Sequence, residues 1–490
     1  MSAQTNTGRI SGVVTDSNGA VVVNATVTAF DPATNFSRSA TTDENGFYTL
    51  SNLPVAAYTI SVEAANFKKF NKLENTLSAD ERLTVDFTLE AGQISETVEV
   101  VQRSGETVNT TSGEVSKVID RQQVQNLALN GRNYYQLLSL IPGAVITQED
   151  QIDTNLATNT ININGNRGVS NNLTVDGGNN LNAGSNASQI NNVGIDFIQE
   201  VKIQTSNFSA EYGRNSGAQI NVVTRRGTND FHGSLFEFLR NDVFDARSFF
   251  APVRTMLRYH NYGYSIGGPL PFFNFGEGGK TFKSGKDRFF FFGGQEWKTI
   301  HRMAATAVRT LPTLAELNGD FSFRLRGADG IVGTADDGVL RDPLLSGTCS
   351  QTNRSACFPG NIIPASRMTA DGTALAKIFR QQIALATSYT NAPVGNNTTF
   401  QPANPSDFRQ EFIRLDYIFN QNHSFYGRYL HDTNLVIDPF GTFINSNLPT
   451  IQHARNRPGN NIQIGYLWNI NSSLINDFRI NQSWTDQRIK

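Results

Sequence analysis

The sequence predicts a mainly β protein with an N-terminal β-sandwich, a small α/β domain and an incomplete antiparallel transmembrane β-barrel. Three observations favour this fold class. Only 17% of the 490 residues are charged, while 41 glycines and 34 phenylalanines suit strands joined by turns. Residues 8–90 hold short alternating segments separated by turn residues. After residue 231, aromatic segments of roughly ten residues alternate with long polar stretches, the weak sequence pattern of a transmembrane barrel.

The predicted sandwich is assigned strand by strand. A first strand at residues 8–16 leads into a turn at residues 16–19, and a second turn at residues 43–46 precedes the strand at residues 47–50. The last segment shows the clearest alternation, with apolar residues on one face and polar residues on the other. The two sets are Leu83, Val85, Phe87 and Leu89 against Thr84, Asp86 and Thr88. Several such strands favour two packed sheets.

The stretch Ser209–Asp242 joins the second and third parts of the chain. Residues 112–224 contain short apolar segments, with two short helices expected on either side of Gly131. This block has too little apolar sequence for a large core and suits insertion into a surrounding structure. A basic, polar crossover at residues 225–229 then leads to the extended segment that begins at Phe231.

The clearest barrel strands alternate between an aromatic face and a polar face. The apolar sets are Ile413, Leu415, Tyr417 and Phe419; Ile462, Ile464, Tyr466 and Trp468; and Phe478, Ile480 and Trp484. Each set alternates with polar residues such as Arg414 and Gln463. Strands of soluble sandwiches look the same. The long polar stretch at residues 300–405 favours the membrane interpretation, since outer-membrane barrels have long extracellular loops.

Composition and motifs exclude several classes of function. The net charge of −2 and pI near 6.3 give no basic surface for nucleic acid. The sequence contains no run of about 18 apolar residues, so no transmembrane helix is predicted. The first residues lack the basic and apolar regions of an export signal, so either the chain is cytoplasmic or its export signal is missing from this sequence. Without a nucleophile–base pair or zinc-peptidase histidine spacing, no enzymatic activity is expected.

One polar loop contains the two cysteines and a group of aspartates. Cys349 and Cys357 pair if the compartment is oxidising, and the alternative is two unpaired thiols. Carboxylates in a glycine-rich loop can bind calcium, and the loop contains Asp329, Asp336, Asp337 and Asp342. A solvated turn-rich loop is the favoured alternative, because no glutamate completes an EF-hand. No other cofactor is expected.

Residues 93–110 contain a short β-prone segment among Ser, Thr and Glu. Val98, Val100 and Val101 lie within it. Such a segment can add as a strand to an exposed sheet edge of another protein. From the residues alone, a plain interdomain linker is favoured.

The N-terminal pattern resembles the carboxypeptidase-regulatory-like domain, a prealbumin-like sandwich without catalytic residues. The resemblance depends on residues 12–16, 42–48, 53–54 and 58–60. It implies an accessory domain. Carbohydrate binding and a spacer role are both open, with the spacer favoured.

The whole chain resembles TonB-dependent outer-membrane receptors of the Oar-like type. Motifs in the order typical of that family support the resemblance: Leu129–Tyr134, Pro142–Gly143, Asn164–Arg167, Val175–Gly177, Ala210–Arg214, Gly227–Asn229, His232–Ser234, Ile266–Leu270, Lys286–Phe290, Asn318–Ser322 and Phe358–Asn361. It implies a regulatory-like sandwich at residues 1–92, a linker at 93–111, a plug at 112–228 and the N-terminal part of a barrel at 229–490.

The resemblance also implies a location, partners and an activity. The barrel lies in outer-membrane lipid, and the sandwich lies in the periplasm. A TonB box, matched by Glu96, Thr97, Val98, Glu99 and Val100, pairs with the periplasmic domain of TonB. The implied activity is energy-coupled uptake of a bulky ligand, which is a saccharide, a peptide or an iron chelate.

Two features depart from the family pattern. Barrels of this type have about 22 strands, whereas residues 231–490 suggest eight to ten, so the sequence is interpreted as a fragment. The second departure from the family pattern is the missing export signal. The alternative function is a surface or secreted β-sandwich adhesin or carbohydrate-binding protein, which would not need a plug.

Overall fold

A computed structural model describes the chain over residues 7–93, 97–101, 113–147, 157–158, 160–209, 212–213, 215–247, 249, 254–273, 281–441, 448–449, 452–471 and 474–490. No helix in this part of the chain is long and apolar enough to cross a membrane.

The N-terminal sandwich consists of two sheets. Its strands are β1 (Thr7–Asp16), β2 (Thr26–Asp31), β3 (Phe36–Thr41), β4 (Phe47–Pro54), β5 (Ala56–Glu63), β6 (Lys69–Leu77), β7 (Arg82–Thr84), β8 (Phe87–Leu89) and β9 (Thr97–Val101). One sheet has the order β4-β1-β7 with β8 also on β1, and the other has the order β3-β2-β5-β6-β9. The predicted alternation is confirmed, since Leu83, Val85, Phe87 and Leu89 are buried and the residues between them are exposed. Burying one face of each strand forms the core between the sheets.

The α/β domain is built on a five-stranded sheet of order β10-β15-β16-β13-β14. The strands of the domain are β10 (Val115–Asp120), β11 (Ala144–Ile146), β12 (Ile161–Ile163), β13 (Asn172–Val175), β14 (Gly178–Asn179), β15 (Ile198–Ser206) and β16 (Gln219–Thr224), and β11 pairs with β12 in a separate two-stranded sheet. The two short helices predicted around Gly131 are α1 (Arg121–Asn126), which Asp120 caps, and the 3-10 helix Tyr134–Leu140. Gly131 itself has φ +75, a conformation that favours glycine.

The barrel strands form one antiparallel sheet of nine strands. The strands from here to the C-terminus are β17 (His232–Asn241), β18 (Leu257–Pro269), β19 (Phe272–Phe273), β20 (Phe282–Lys283), β21 (Phe289–Arg302), β22 (Ala307–Arg309), β23 (Ser388–Tyr389), β24 (Thr398–Phe400), β25 (Ser406–Asn420), β26 (His423–Asp438), β27 (His453–Asn456), β28 (Gly459–Asn469), β29 (Ile475–Thr485) and β30 (Arg488–Ile489). The long strands pair in the order β17-β18-β21-β25-β26-β28-β29. Among the described residues the sheet does not close, and β17 and β29 remain its edges.

The predicted alternation of the barrel strands is also confirmed. Ile413, Leu415, Ile462, Ile464, Phe478, Ile480 and Trp484 are exposed on the outer face. Inner residues such as Gln410, Arg414 and Gln463 are buried, because the α/β domain packs against them. We call this domain the plug. Its apolar core includes Phe292, Phe412 and Leu430 of the barrel, which agrees with a block too small for a core of its own.

The stretch between β21 and β25 is more ordered than the sequence suggested. Predicted as a long polar loop, it contains the helix α2 (Ala370–Leu385), a three-stranded sheet of order β22-β24-β23 and the short 3-10 helices Glu316–Asn318, Ser322–Arg326, Pro359–Asn361 and Ala365–Arg367. Only Gln382 of α2 is buried. Its apolar residues Leu375, Ile378 and Leu385 are exposed, so the helix has no wide buried face.

Candidate functional site between the sandwich, the plug and the barrel

The TonB-box residues predicted from the sequence lie in β9, at the edge of the sandwich. Thr97–Val101 pairs in parallel with Lys69–Leu73 of β6, residue by residue. Glu96 lies outside the described residues. Thr97 and Glu99 are exposed, Val98 is half-buried and Val100 is 41% exposed. The segment expected in a plain linker therefore belongs to the sandwich sheet, and in the described part of the chain no strand pairs with its outer edge.

A loop of the sandwich docks onto the plug directly after β6 ends. This loop, Ser78–Glu81, is called the docking loop. The amide of Ala79 donates a hydrogen bond of 2.7 Å to Oε1 of Glu200, and Nζ of Lys202 donates one of 2.8 Å to the carbonyl of Asp80. Nε2 of Gln204 and the hydroxyl of Tyr212 both donate to Oδ2 of Asp80. The sandwich is thus joined to the plug by a buried polar contact.

The plug side of this contact is one face of a single strand. Glu200, Lys202 and Gln204 alternate along β15 with the core residues Val201 and Ile203. All three polar side chains are buried. Nζ of Lys202 also lies 2.9 Å from Oε1 of Glu114. Buried polar groups are costly unless they are paired, so this face depends on the docking loop to cover it.

A pH dependence follows from the position of Glu200. Burial raises the pKa of its carboxyl from the ordinary 4.5 to about 7. The folded state therefore binds the proton more tightly than the unfolded state does. The stability this provides is complete below about pH 4.5 and is lost as the pH rises through about 7, a change of about 3 kcal/mol.

The Glu200→Gln variant isolates this contribution. Glutamine keeps the size of the side chain and an acceptor for Ala79, but it does not titrate in this range. The unfolding free energy, measured from pH 4 to 8, is expected to fall with pH more steeply in the wild type than in the variant. Parallel curves would contradict the assignment.

A second set of contacts joins the sandwich to the plug–barrel crossover. Asp31 forms an ion pair of 2.7 Å with Arg226, and the amide of Asn229 donates to the carbonyl of Ala33 at 2.8 Å. Nδ2 of Asn35 donates to Oδ1 of Asp287 at 2.7 Å, in the turn before β21. The sandwich therefore lies at the end of the barrel opposite α2, since β21 and β25 run from this turn region to the α2 segment.

The plug is held to the barrel by a buried ion cluster around Asp176. The amide and hydroxyl of Thr224 donate to its two carboxylate oxygens at 2.9 and 2.7 Å. Arg414 of β25 and Arg428 of β26 approach the same oxygens at 3.6 and 3.4 Å. Asp176 and Arg428 have fully buried side chains. Because these cations come from two neighbouring barrel strands, one plug carboxylate links the plug to both.

Three further contacts hold the plug in the barrel. The Oδ2 atom of Asp432 accepts from the amide of Asn192 at 2.8 Å, and Oε1 of Gln410 accepts from the amide of Gly194 at 2.7 Å. At the β17 edge, the guanidinium of Arg132 lies 3.9 Å from the ring centre of Phe238 and pairs with Asp196 of the plug. Sequence reasoning did not identify these contacts, because contacts so distant along the chain leave no local pattern.

The two cysteines and the aspartates of the polar loop bond to different partners. Cys349 and Cys357 form a disulfide with their Cα atoms 5.0 Å apart. Asp337 pairs with Arg354 at 2.8 Å, and Asp342 pairs with Arg367 at 2.6 Å.

The other two aspartates of the loop have different partners. Oδ2 of Asp336 accepts from the amides of Ala328 and Asp329, and Oδ1 of Asp329 accepts from the amide of Ile331 at 2.8 Å. No group of three or more metal-ligating side chains occurs in the described ranges. The four carboxylates therefore have protein partners, and calcium binding remains a prediction from the sequence.

Family comparisons match each part of the chain. The model described as "Outer membrane beta barrel domain" matches residues 223–490, the "TonB-dependent Receptor Plug Domain" matches residues 107–218, and the "Carboxypeptidase regulatory-like domain" matches residues 9–90. The fold and the first match define an outer-membrane β-barrel protein. The chain belongs to the TonB-dependent outer-membrane receptors, with a regulatory-like sandwich before the plug.

Individual relatives match only in part. The TonB-dependent transporter Oar of Myxococcus xanthus is 28% identical over 262 residues, which cover 50% of this chain and 23% of the relative. Among solved structures, the outer membrane transporter YddB from Escherichia coli is 11% identical, with a TM-score of 0.40 over 72% of this chain and 37% of that chain. The ferric enterobactin receptor mutant of Pseudomonas aeruginosa is 11% identical, with a TM-score of 0.40 over 76% of this chain and 41% of that chain.

Proposed function

We propose that this receptor takes up a bulky ligand across the outer membrane, with energy supplied from the inner membrane through TonB. The position and the unpaired outer edge of β9 carry the proposal. β9 is the last strand of the sandwich before the plug, and its outer edge accepts no strand from the described residues. An unpaired edge strand is a template for an added strand. The periplasmic domain of TonB is the proposed source of that strand.

The orientation follows from the barrel. Its exposed apolar face, which includes Leu415, Ile464 and Ile480, contacts outer-membrane lipid. The sandwich end faces the periplasm, where TonB reaches it. The opposite end, with α2 and the disulfide loop, faces outward and meets the ligand.

The plug determines how the ligand passes. It packs against the inner face of the barrel sheet through buried ion pairs and a shared apolar core. Passage therefore requires a plug rearrangement, which needs an energy input at the periplasmic side. A saccharide, a peptide or an iron chelate is the proposed class of ligand. No catalytic step is part of the proposal.

Binding of the purified TonB periplasmic domain to the full receptor in lipid nanodiscs tests the proposal. Deleting Glu96–Val100 is expected to weaken binding at least about tenfold, because the pairing strand is lost. The matched control is Ser39→Gly in β3, the other edge strand of the same sheet, which is expected to change the affinity less than about twofold. Equal affinity after the deletion would place the TonB site elsewhere, and no binding to either chain would contradict TonB coupling.

A further inference from the structure

We propose that the sandwich carries the pull exerted on β9 to the plug, through β6 and the docking loop. The proposal rests on the proposed TonB coupling for the origin of the pull. The mechanical connection itself is independent of which protein pulls.

The first link is the pairing of β9 with β6. Five consecutive residues of β9 pair with Lys69–Leu73, and the two strands are parallel. A pull toward the N-terminal end of β9 therefore acts along both strands, across all five pairs together. Phe70 of β6, paired with Val98, packs against the sandwich core and contacts Phe87 edge-on. The load therefore reaches the folded body of the sandwich.

The second link is the position of the docking loop. β6 ends at Leu77, whose side chain is fully buried, and the loop begins at the next residue. Ser78 and Glu81 close the loop, since the amide of Ser78 donates to Oε2 of Glu81 at 2.7 Å. The strand that carries the load thus ends in the segment that holds the plug.

The third link is the plug strand that receives the loop. β15 lies between β10 and β16 in the plug sheet and contributes Glu200, Lys202 and Gln204 to the contact. Displacing β15 disturbs both neighbouring strands, and Thr224 at the end of β16 holds Asp176 of the ion cluster. A spacer or a sugar-binding module has no need for this buried polar contact with the plug.

A direct covalent route competes with this path. Residues 102–112 connect β9 to the plug by the chain itself, and twelve Cα–Cα steps from Val101 to Gly113 reach at most about 40 Å. If the sandwich carries no load, the pull reaches the plug only through this segment, whose contour length limits any extension before the plug moves to about 40 Å. The two routes therefore differ in the extension that precedes movement of the plug.

Single-molecule pulling distinguishes the two routes. The full receptor is held in a supported bilayer and pulled through a handle on Glu99→Cys; the two native cysteines are joined to each other. With an intact docking loop, the plug is expected to rupture without a preceding extension step. In the combined Lys202→Met, Asp80→Asn and Arg226→Met variant, which also releases the ion pair between Arg226 and Asp31, an early low-force step of up to about 40 Å is expected before the plug ruptures. Asparagine is chosen because Asp80 has φ +53, which asparagine tolerates.

A surface ion pair of the sandwich outside β6 and the docking loop provides the control. Glu90→Ala removes the ion pair with Lys68 and is expected to give the wild-type trace. The same early step in wild type and docking-loop variant would overturn the proposal. Since the handle replaces TonB, failure of TonB binding leaves this result intact, and a failed pulling result leaves TonB binding intact.

Discussion

Replacing Asp176 by alanine is expected to destabilise the plug inside the barrel by about 3–5 kcal/mol. The change leaves Arg428 buried without the carboxylate that it pairs with, while Arg414 keeps its ion pair with Asp416. Removing one partner of a buried ion pair costs this much, because the remaining charge cannot be solvated. The amide and hydroxyl of Thr224 lose their acceptors as well. Urea unfolding of the plug, followed by hydrogen exchange of the β13 and β16 amides, measures the effect.

Two variants complete this test. Asp176→Asn keeps an acceptor for Thr224 and is expected to cost less than alanine. Glu90→Ala removes a surface ion pair with Lys68 and is expected to change stability by less than about 1 kcal/mol. An Asp176→Ala plug as stable as the wild type would show that the cluster does not hold the plug.

Truncating Phe197 to alanine is expected to destabilise the plug by a similar amount, about 3–5 kcal/mol. Its fully buried ring stacks on Phe412 of the barrel with centroids 5.4 Å apart. Gly294 permits this close packing, because a Cβ there would lie 2.8 Å from Cε1 of Phe197. The urea midpoint of the plug measures the loss.

A double-mutant cycle with Phe412→Ala separates the shared contact from the cavity. The two losses are expected to be non-additive by about 0.5–1.5 kcal/mol, the usual value for an aromatic pair. Phe244→Ala, at a ring that is 86% exposed, is the matched control and is expected to have little effect. Fully additive losses would show that the two rings do not act together.

The parts of the fold that sequence predicts are those with a local period. Leu83–Leu89 and Ile462–Trp468 bury alternate residues as predicted, because a strand with one covered face requires that pattern. The helix pair around Gly131 follows from the capping by Asp120 and the positive φ of the glycine. The order of motifs along the chain predicted the family.

The contacts between domains could not be predicted in the same way. The alternation at Glu200, Lys202 and Gln204 suggests a strand with a solvated polar face, whereas the docking loop covers that face. The barrel partners of Asp176, Arg414 and Arg428, lie more than 200 residues away, so no sequence spacing indicates them. Thr97–Val101 is β-prone, but its pairing with β6 depends on an edge that only the folded sandwich presents.

Hydrogen–deuterium exchange of the full receptor, with and without the TonB periplasmic domain, tests the central claim most directly. The account predicts new protection of the amides in Thr97–Val101, where a strand added to the outer edge of β9 forms hydrogen bonds. The opposite edge strand β3 belongs to the same sheet and is expected to exchange at an unchanged rate. Protection of β3 or of the plug alone, with β9 unchanged, would contradict the account.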